Sequence, residues 1–396
     1  MSDKPAILGN APLFGREMNI VSPALPRLED ISDRIAEILS TGNLTNDSKY
    51  VRALEQDIRK FLGVKHTVAV TNGTLGLMLV LQALGLKGEV IVPSFTFSAT
   101  VHALMWNGLK PVFVDIDPRT YNIDPDLVTE RITPQTSAIL AVHVYGNPCD
   151  IKKLERIAQD NGLRLVFDSA HAFGAYYQGQ KVGKFGDAEV FSFHATKILP
   201  TGEGGVITTD DDELKEKLSW GRNFGNPGDD DCRFPGLNAK MPEFSAILGL
   251  EGLKEVEEYV RHRNEIAGFY KTKLKRIPGL SFQRLTPGCQ STYQFFSILI
   301  DPRDFSLNRD QLKAALNKEN IVTRRYFYPP MHRHRAYQQF QHRCNGQLSV
   351  TQAVSDNILC LPICSRMTAE DVEKIAFAIE RIHICHEEVQ RKYPLM

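Results

Sequence analysis

The sequence predicts an α/β protein: a mostly parallel sheet flanked by helices, with a second, smaller α+β domain beside it. Three observations carry that prediction. Short β-rich runs alternate with helix-length segments between residues 67 and 168, the spacing of βα units. Two more apolar runs, residues 189–193 and 205–208, bracket a polar, glycine-rich loop and extend the sheet to about residue 210. Beyond them the chain turns charged and helix-favouring, and its later strand signals are isolated.

Taken in order, Val51, Leu54, Ile58, Phe61 and Leu62 fall at helical spacing behind Asn46, Asp47 and Ser48, which are candidate caps. The strands follow at 67–70, 89–92, 111–115, 138–144 and 163–168. Residues 244–274 are long, amphipathic and poor in breakers, a bridge leading out of the sheet. After it, 292–300 reads as a strand, 308–319 as a helix, and 359–362 with 369–382 as a closing strand and helix. The predicted division is 27–274 for the large domain and 1–26 plus 275–396 for the smaller one. No repeat or low-complexity tract interrupts either.

The 396 residues, 42% of them hydrophobic, suffice for such a two-part body and exclude disorder and fibres. With 47 Lys+Arg against 47 Asp+Glu, the chain lacks the electrostatic footprint of a nucleic-acid or membrane-surface binder, so a small-molecule partner is expected. No basic segment precedes an apolar core at the N-terminus, and no apolar run reaches about 18 residues. A cytoplasmic protein, neither secreted nor membrane-spanning, is predicted. Seven cysteines (149, 232, 289, 344, 360, 364 and 385) then read as reduced thiols. Cys360 and Cys364 form a lone CxxxC without a second pair at metal spacing; two small buried residues near a strand are expected there, and no metal.

Three segments carry chemistry. Val68 to Leu77 runs from an apolar strand through Asn72, Gly73 and Thr74 into a helix, where backbone N–H groups and the Thr74 hydroxyl could hold a phosphate against the positive end of the dipole. The same Asn-Gly-Thr is also an ordinary turn with a helix cap. Asp168 follows an apolar strand, at the carboxyl edge where α/β sheets place ligands, though a turn role fits it equally, and His171 beyond it fits a structural histidine. Lys197 lies between a strand and a glycine-rich turn, a setting that can bury an amine and depress its pKa; by default a lysine is a solvated cation. A phosphate cradle, a strand-end carboxylate and a loop lysine are together what pyridoxal phosphate needs: an anchored phosphate, a bonded aldehyde and a ring nitrogen held protonated. Neither GxGxxG between strand and helix nor GxxxxGK[ST] occurs, so dinucleotide and ATP sites lack their signatures.

At these residues the sequence resembles the pyridoxal-phosphate-dependent sugar-nucleotide aminotransferases of the DegT/StrS type, within the fold type I aminotransferase class. The resemblance is carried by Thr71-Asn-Gly-Thr, Val92-Pro-Ser-Phe-Thr-Phe, Phe167-Asp-Ser-Ala-His-Ala, Ser192-Phe-His-Ala-Thr-Lys with Gly202-Glu-Gly-Gly, Arg222-Asn-Phe-Gly and Asn238-Ala-Lys-Met. It spans residues 42–253 and resumes at 326–332 and 361–363. It implies Lys197 as the Schiff-base lysine and Asp168 as partner of the pyridinium nitrogen. It further implies Phe97 stacked on the ring, His171 near the ring and its phenolic oxygen, and Gly73, Thr74 and Ser192 on the phosphate. Asn238 would join them from the neighbouring subunit, which implies a homodimer with shared active sites. Phe167, Phe224 and Lys240 depart from the family's usual carboxylate, histidine and arginine. Lysine lacks arginine's fork, so contacts near Lys240 are expected to differ.

The implied reaction moves an amino group from an amino acid, by resemblance L-glutamate, to a nucleoside-diphosphate keto-sugar. His194-Ala195-Thr196 fits the relatives acting on 4-keto sugars, which points to a dTDP-4-keto-6-deoxyhexose. The alternatives are a 3-keto sugar aminotransferase, a pyridoxal- or pyridoxamine-phosphate-dependent sugar dehydratase, which carries histidine where this chain has Lys197, and a non-catalytic regulator on the same scaffold.

Overall fold

The computed structural model describes residues 4–344 and 348–393; the side chain of Cys344 and the outermost residues of the predicted smaller domain lie outside the described residues. Helices α1 (Leu28–Thr41) and α2 (Lys49–Leu62) lead into β1 (His66–Val70), α3 (Gly73–Ala83), β2 (Glu89–Pro93), α4 (Ser98–Trp106), β3 (Lys110–Val114), α5 (Pro125–Thr129), β4 (Thr136–Val142), α6 (Ile151–Asn161) and β5 (Arg164–Asp168). A small turn of β6 (Tyr176–Tyr177) and β7 (Gln180–Lys181) precedes β8 (Ala188–Ser192) and β9 (Gly205–Thr209), and α7 (Asp212–Gly221) leaves the sheet.

These strands form a seven-stranded sheet in the order β1-β9-β8-β5-β4-β2-β3. The run from β8 to β3 is parallel, as crossovers through helices require, whereas β9 runs antiparallel to β8 and β1 because it follows β8 through a loop alone. Both faces are apolar. Ala141, Phe167, Phe191 and Val206 pack beneath α2, α6 and the helix of residues 243–253, while Leu140, Val166, Val190 and Ile207 pack beneath α3, α4 and α7. A sheet covered on both faces explains why its strands read as continuous apolar runs.

The predicted cap of α2 is filled differently. Ser48 sits at the N-cap without a side-chain bond, and the Glu243 carboxylate accepts the N–H groups of Tyr50 at 2.7 Å and Val51 at 3.3 Å. Residues 244–274 form two helices, α8 (Glu243–Leu253) and α9 (Val256–Leu274). The turn between them seats Val256 and Val260 against Gly174, where a Cβ would lie 3.0 Å and 3.2 Å from them.

Next come β10 (Leu280–Phe282), β11 (Cys289–Gln290), β12 (Phe296–Ile300), α10 (Pro302–Phe305), α11 (Arg309–Lys318), α12 (Ser349–Asn357), β13 (Ile358–Leu361), α13 (Ala369–Ile384) and α14 (His386–Lys392). β10, β12 and β13 make an antiparallel sheet under α9, α11 and α13, with its own core of Tyr270, Phe296, Leu312, Leu361 and Ile379. Ile7 and Phe14 join that core, and Glu319 accepts the Ala6 and Leu13 N–H groups at 2.7 Å and 3.0 Å. β12 starts later than predicted. Thr292 and Gln294 instead donate their N–H groups to Gly146 and Tyr145, drawing this stretch to the large sheet. Met331, Tyr337 and Leu348 also pack on the large sheet's core, beside edge strand β3. Cys360 and Cys364 are buried at β13, and the described cysteines form no disulfide. No helix of the described residues is long and apolar enough to cross a membrane.

Candidate active site

The carboxyl ends of β1, β5 and β8 open into a cleft of about 440 Å³. β1 hands over to α3 at Asn72, whose extended backbone and side-chain oxygen cap the helix, accepting the Leu75 N–H at 2.9 Å. Gly73 and Thr74, the first residues of α3, line the cleft where the helix presents its unpaired N–H groups. Asn72 thus takes the turn-and-cap role, while the next two residues face the cleft. Close packing explains the glycines here. A Cβ on Gly73 would stand 3.1 Å from Ser192 Cβ, and one on Gly205 would press to 2.9 Å from Gly73 N. Their absence lets the tip of α3 meet the β8–β9 hairpin, so that Ser192 joins Gly73 and Thr74 on one wall.

Asp168 ends β5, 5% exposed. Its Oδ2 accepts the Thr100 hydroxyl at 2.6 Å and its Oδ1 the Ala170 N–H at 3.2 Å. Burial pushes its carboxyl up, against the pull of those two donors and of Lys197. Lys197 sits in the loop after β8, held by its own N–H to His194 O at 2.8 Å. It still touches the cleft, yet burial pushes its ammonium down to about 8, with the Asp168 carboxylate pulling the other way. About a tenth of it is then the free amine at neutral pH, far more than for a solvated lysine, and that is the form that can act as nucleophile or base.

His171 is buried in the same wall, and burial holds its imidazole well below the ordinary value, hence neutral. Its ring lies parallel to Phe327 at 6.0 Å and edge-on to Phe295 at 5.3 Å. Phe295, Tyr326 and Phe327 close the cleft from the far side, an aromatic wall from the later part of the chain. Phe97, at the N-cap of α4, is 57% exposed and borders the cleft.

Seven of the eight sequence-predicted residues thus meet in one cleft: Gly73, Thr74, Phe97, Asp168, His171, Ser192 and Lys197. Asn238 does not line it. It is exposed on a ribbon that bridges to Asn223 and is held by Arg222, whose guanidinium pairs with Asp47 at 2.8 Å and Glu55 at 2.6 Å. Lys240, on the same ribbon, donates to Asn223 at 3.0 Å and lies over the Phe224 ring. Thr100 was not foreseen. Its only sequence signal is its place one turn into the helix after β2, which says nothing about Asp168. Of the aromatic wall, Tyr326 and Phe327 fall in the 326–332 stretch of the resemblance, and Phe295 was legible only as part of the predicted strand 292–300.

The donor set fits pyridoxal phosphate. Gly73, Thr74 and Ser192 offer an anion its donors, and buried Asp168 has lone pairs left for a protonated ring nitrogen. Phe97 and neutral His171 suit a flat ring, and Lys197 has an amine near its working pKa.

Residues 27–380 match the family described as the DegT/DnrJ/EryC1/StrS aminotransferase family. The chain is similar to a dTDP-4-amino-4,6-dideoxy-D-glucose transaminase of Shigella dysenteriae, 40% identical over 92% of this chain and 98% of that protein. It is similar to one of the same name from Escherichia coli, 37% identical over 90% of this chain and 96% of that protein. Among solved structures it is similar to DesI, crystallised in the presence of its TDP-sugar product, with a TM-score of 0.89 and 35% identity over 98% of this chain and 97% of that one.

Proposed function

This chain belongs to the DegT/DnrJ/EryC1/StrS aminotransferase family, and from that membership we propose that it carries an amino group from L-glutamate to C4 of a dTDP-4-keto-6-deoxyhexose. Two relatives named for a 4-amino-4,6-dideoxy sugar support the position, because an amine introduced at C4 by transamination requires a ketone there. The observation that carries the reading is the convergence of Lys197, its ammonium pushed down to about 8, and buried Asp168 beside the α3 tip in one cleft.

Pyridoxal phosphate, when bound, supplies an aldehyde that takes amines and a ring that accepts electrons. Gly73, Thr74 and Ser192 hold its phosphate, Asp168 keeps the proton on its ring nitrogen, and Phe97 and His171 enclose the ring. The neutral Nζ of Lys197 accepts the proton leaving the donor Cα and later returns one to the sugar carbon that receives the amine. Residues 27–274 would be the cofactor-carrying unit, and residues 1–26 with 275–396 the unit whose Phe295, Tyr326 and Phe327 face it.

Borohydride treatment of the yellow holoenzyme tests this. The visible band should vanish and the reduced cofactor should be recovered on a peptide containing Lys197. The glutamate-treated enzyme should then regain its colour with a 4-keto nucleotide sugar; recovery only with 3-keto sugars would move the ketone.

Asn238 supports a homodimer with shared sites, since it is exposed and lines no part of its own chain's cleft. In a mixture with Lys197→Ala, an inactive Asn238→Asp partner should complement. Random re-pairing makes about half of the dimers mixed, each with one intact site, so activity should recover toward roughly a quarter of wild type. No recovery after subunit exchange is shown by mass would return Asn238 to its own subunit.

A further inference from the structure

We propose that His194 and Glu203 form a hydroxyl-reading pair at the cleft rim, which seats the hydroxyl on the carbon next to the ketone of the acceptor sugar. This rests on the keto-sugar reading above. The β8–β9 ladder pairs Val190 with Ile207 and Ser192 with Gly205. It continues past the strand ends, because Phe193 N–H donates to Gly204 O and Ala195 N–H to Gly202 O. In that register His194 stands opposite Glu203. Side chains two residues apart share a face, so both project on the side of Ser192, and both line the cleft with Lys197.

The rim holds this pair in a defined chemical state. The Thr196 hydroxyl at 2.9 Å and the Thr196 N–H at 3.2 Å both meet His194 Nδ1, and with Nδ1 accepting from the N–H the ring's proton sits on Nε2. The Thr201 hydroxyl donates to Glu203 O at 2.9 Å and steadies the opposite rung. His194 Nε2 and Glu203 Oε1 face each other at 3.7 Å, too far for a hydrogen bond. One donor and one acceptor therefore stand side by side unbonded. A hydroxyl satisfies both: its oxygen accepts from Nε2–H and its hydrogen goes to the carboxylate. A ketone cannot donate, so it would leave the carboxylate unmatched. Lys197, whose own N–H bonds His194 O at 2.8 Å, shares the loop. Because His194, Glu203 and Lys197 line one cleft, the hydroxyl assigned to the pair is the one beside the reacting carbon.

The two half-reactions of the holoenzyme, followed separately by rapid mixing, test this. The probes are L-glutamate, dTDP-4-keto-6-deoxyglucose and its analogue lacking the 3-hydroxyl. Glu203→Gln should lower kcat/KM for the keto-sugar by about 10- to 100-fold, mainly through KM, and add no further loss on the deoxy analogue. The glutamate half-reaction should change by less than about threefold. His194→Gln, on a side chain 46% exposed, should give the same pattern. Equal losses on both sugars, or parallel loss of the glutamate half-reaction, would overturn the assignment and make the pair a brace for the Lys197 loop. Wild type that reacts with glutamate but with no keto-sugar nucleotide would instead remove the substrate reading, and this assignment with it.

Discussion

Two buried carboxylates on adjacent strands have opposite circumstances. The β5–β8 register sets Phe167 against Glu189 and Asp168 against Val190, one residue out of step, so the pleat sends Glu189 and Asp168 to opposite faces of the sheet. Glu189 is fully buried and saturated: Gly183 N–H at 2.7 Å, Phe185 N–H at 3.1 Å and the Ser169 hydroxyl at 2.5 Å all donate to it. It organises the loop before β8. Asp168 receives two donors, and burial raises its carboxyl despite them. Asp168, beside the cleft, is left with fewer donors than Glu189, and Lys197 nearby is left depressed by burial.

The largest effect expected from that contrast belongs to Lys197→Ala. Both half-reactions should be abolished, while the ligand-free protein should unfold at the same or a higher temperature, because a strained amine has been removed. The sign follows from linkage. A lysine at about 8 when folded, against an unfolded model value of 10.5, binds fewer protons than the unfolded chain between those pH values. Its destabilising contribution is fullest below about 8 and fades as pH rises toward 10.5. Turnover by the variant, or a clear loss of stability, would put Lys197 among the structural residues.

Exchanging each carboxylate for its amide separates the two faces directly. Asp168→Asn should cost at least about a hundredfold in turnover, since an amide cannot keep a ring nitrogen protonated, and should leave the urea midpoint unchanged or higher. Glu189→Gln should do the reverse, with turnover of the folded protein within about threefold and a loss of about 1–2 kcal/mol as charged acceptor bonds become neutral ones. If both variants lose activity and stability together, the distinction between the faces fails.

The smallest effect is a shift in titration. In ligand-free protein, acylation of Lys197 measured by peptide mass should rise with pH through an inflection near 8, while surface lysines respond about two units higher. Asp168→Asn should lower the Lys197 inflection, because the carboxylate's attraction is what raises it. An inflection unmoved by that substitution would mean the two groups do not sense each other.

The βα alternation, the strands and the residues that end them at the cleft were legible because each is local. An apolar run followed by Asp168, Lys197 or Asn72-Gly73-Thr74 marks a strand end, and strand ends of a parallel sheet share one edge. The resemblance extended this to Phe97, His171 and Ser192. Contacts that join distant parts of the chain were not legible. Glu243 capping α2, Thr100 bonding Asp168, and the diversion of residues 292–295 to the large sheet depend on where a helix or strand comes to rest. The sequence by itself determined which residues end the strands, because periodicity and turn chemistry act over a few neighbours. Only the tertiary structure decided which of two equally buried carboxylates would be satisfied, because hydrogen-bond donors arrive from segments whose approach is settled by packing across the whole sheet.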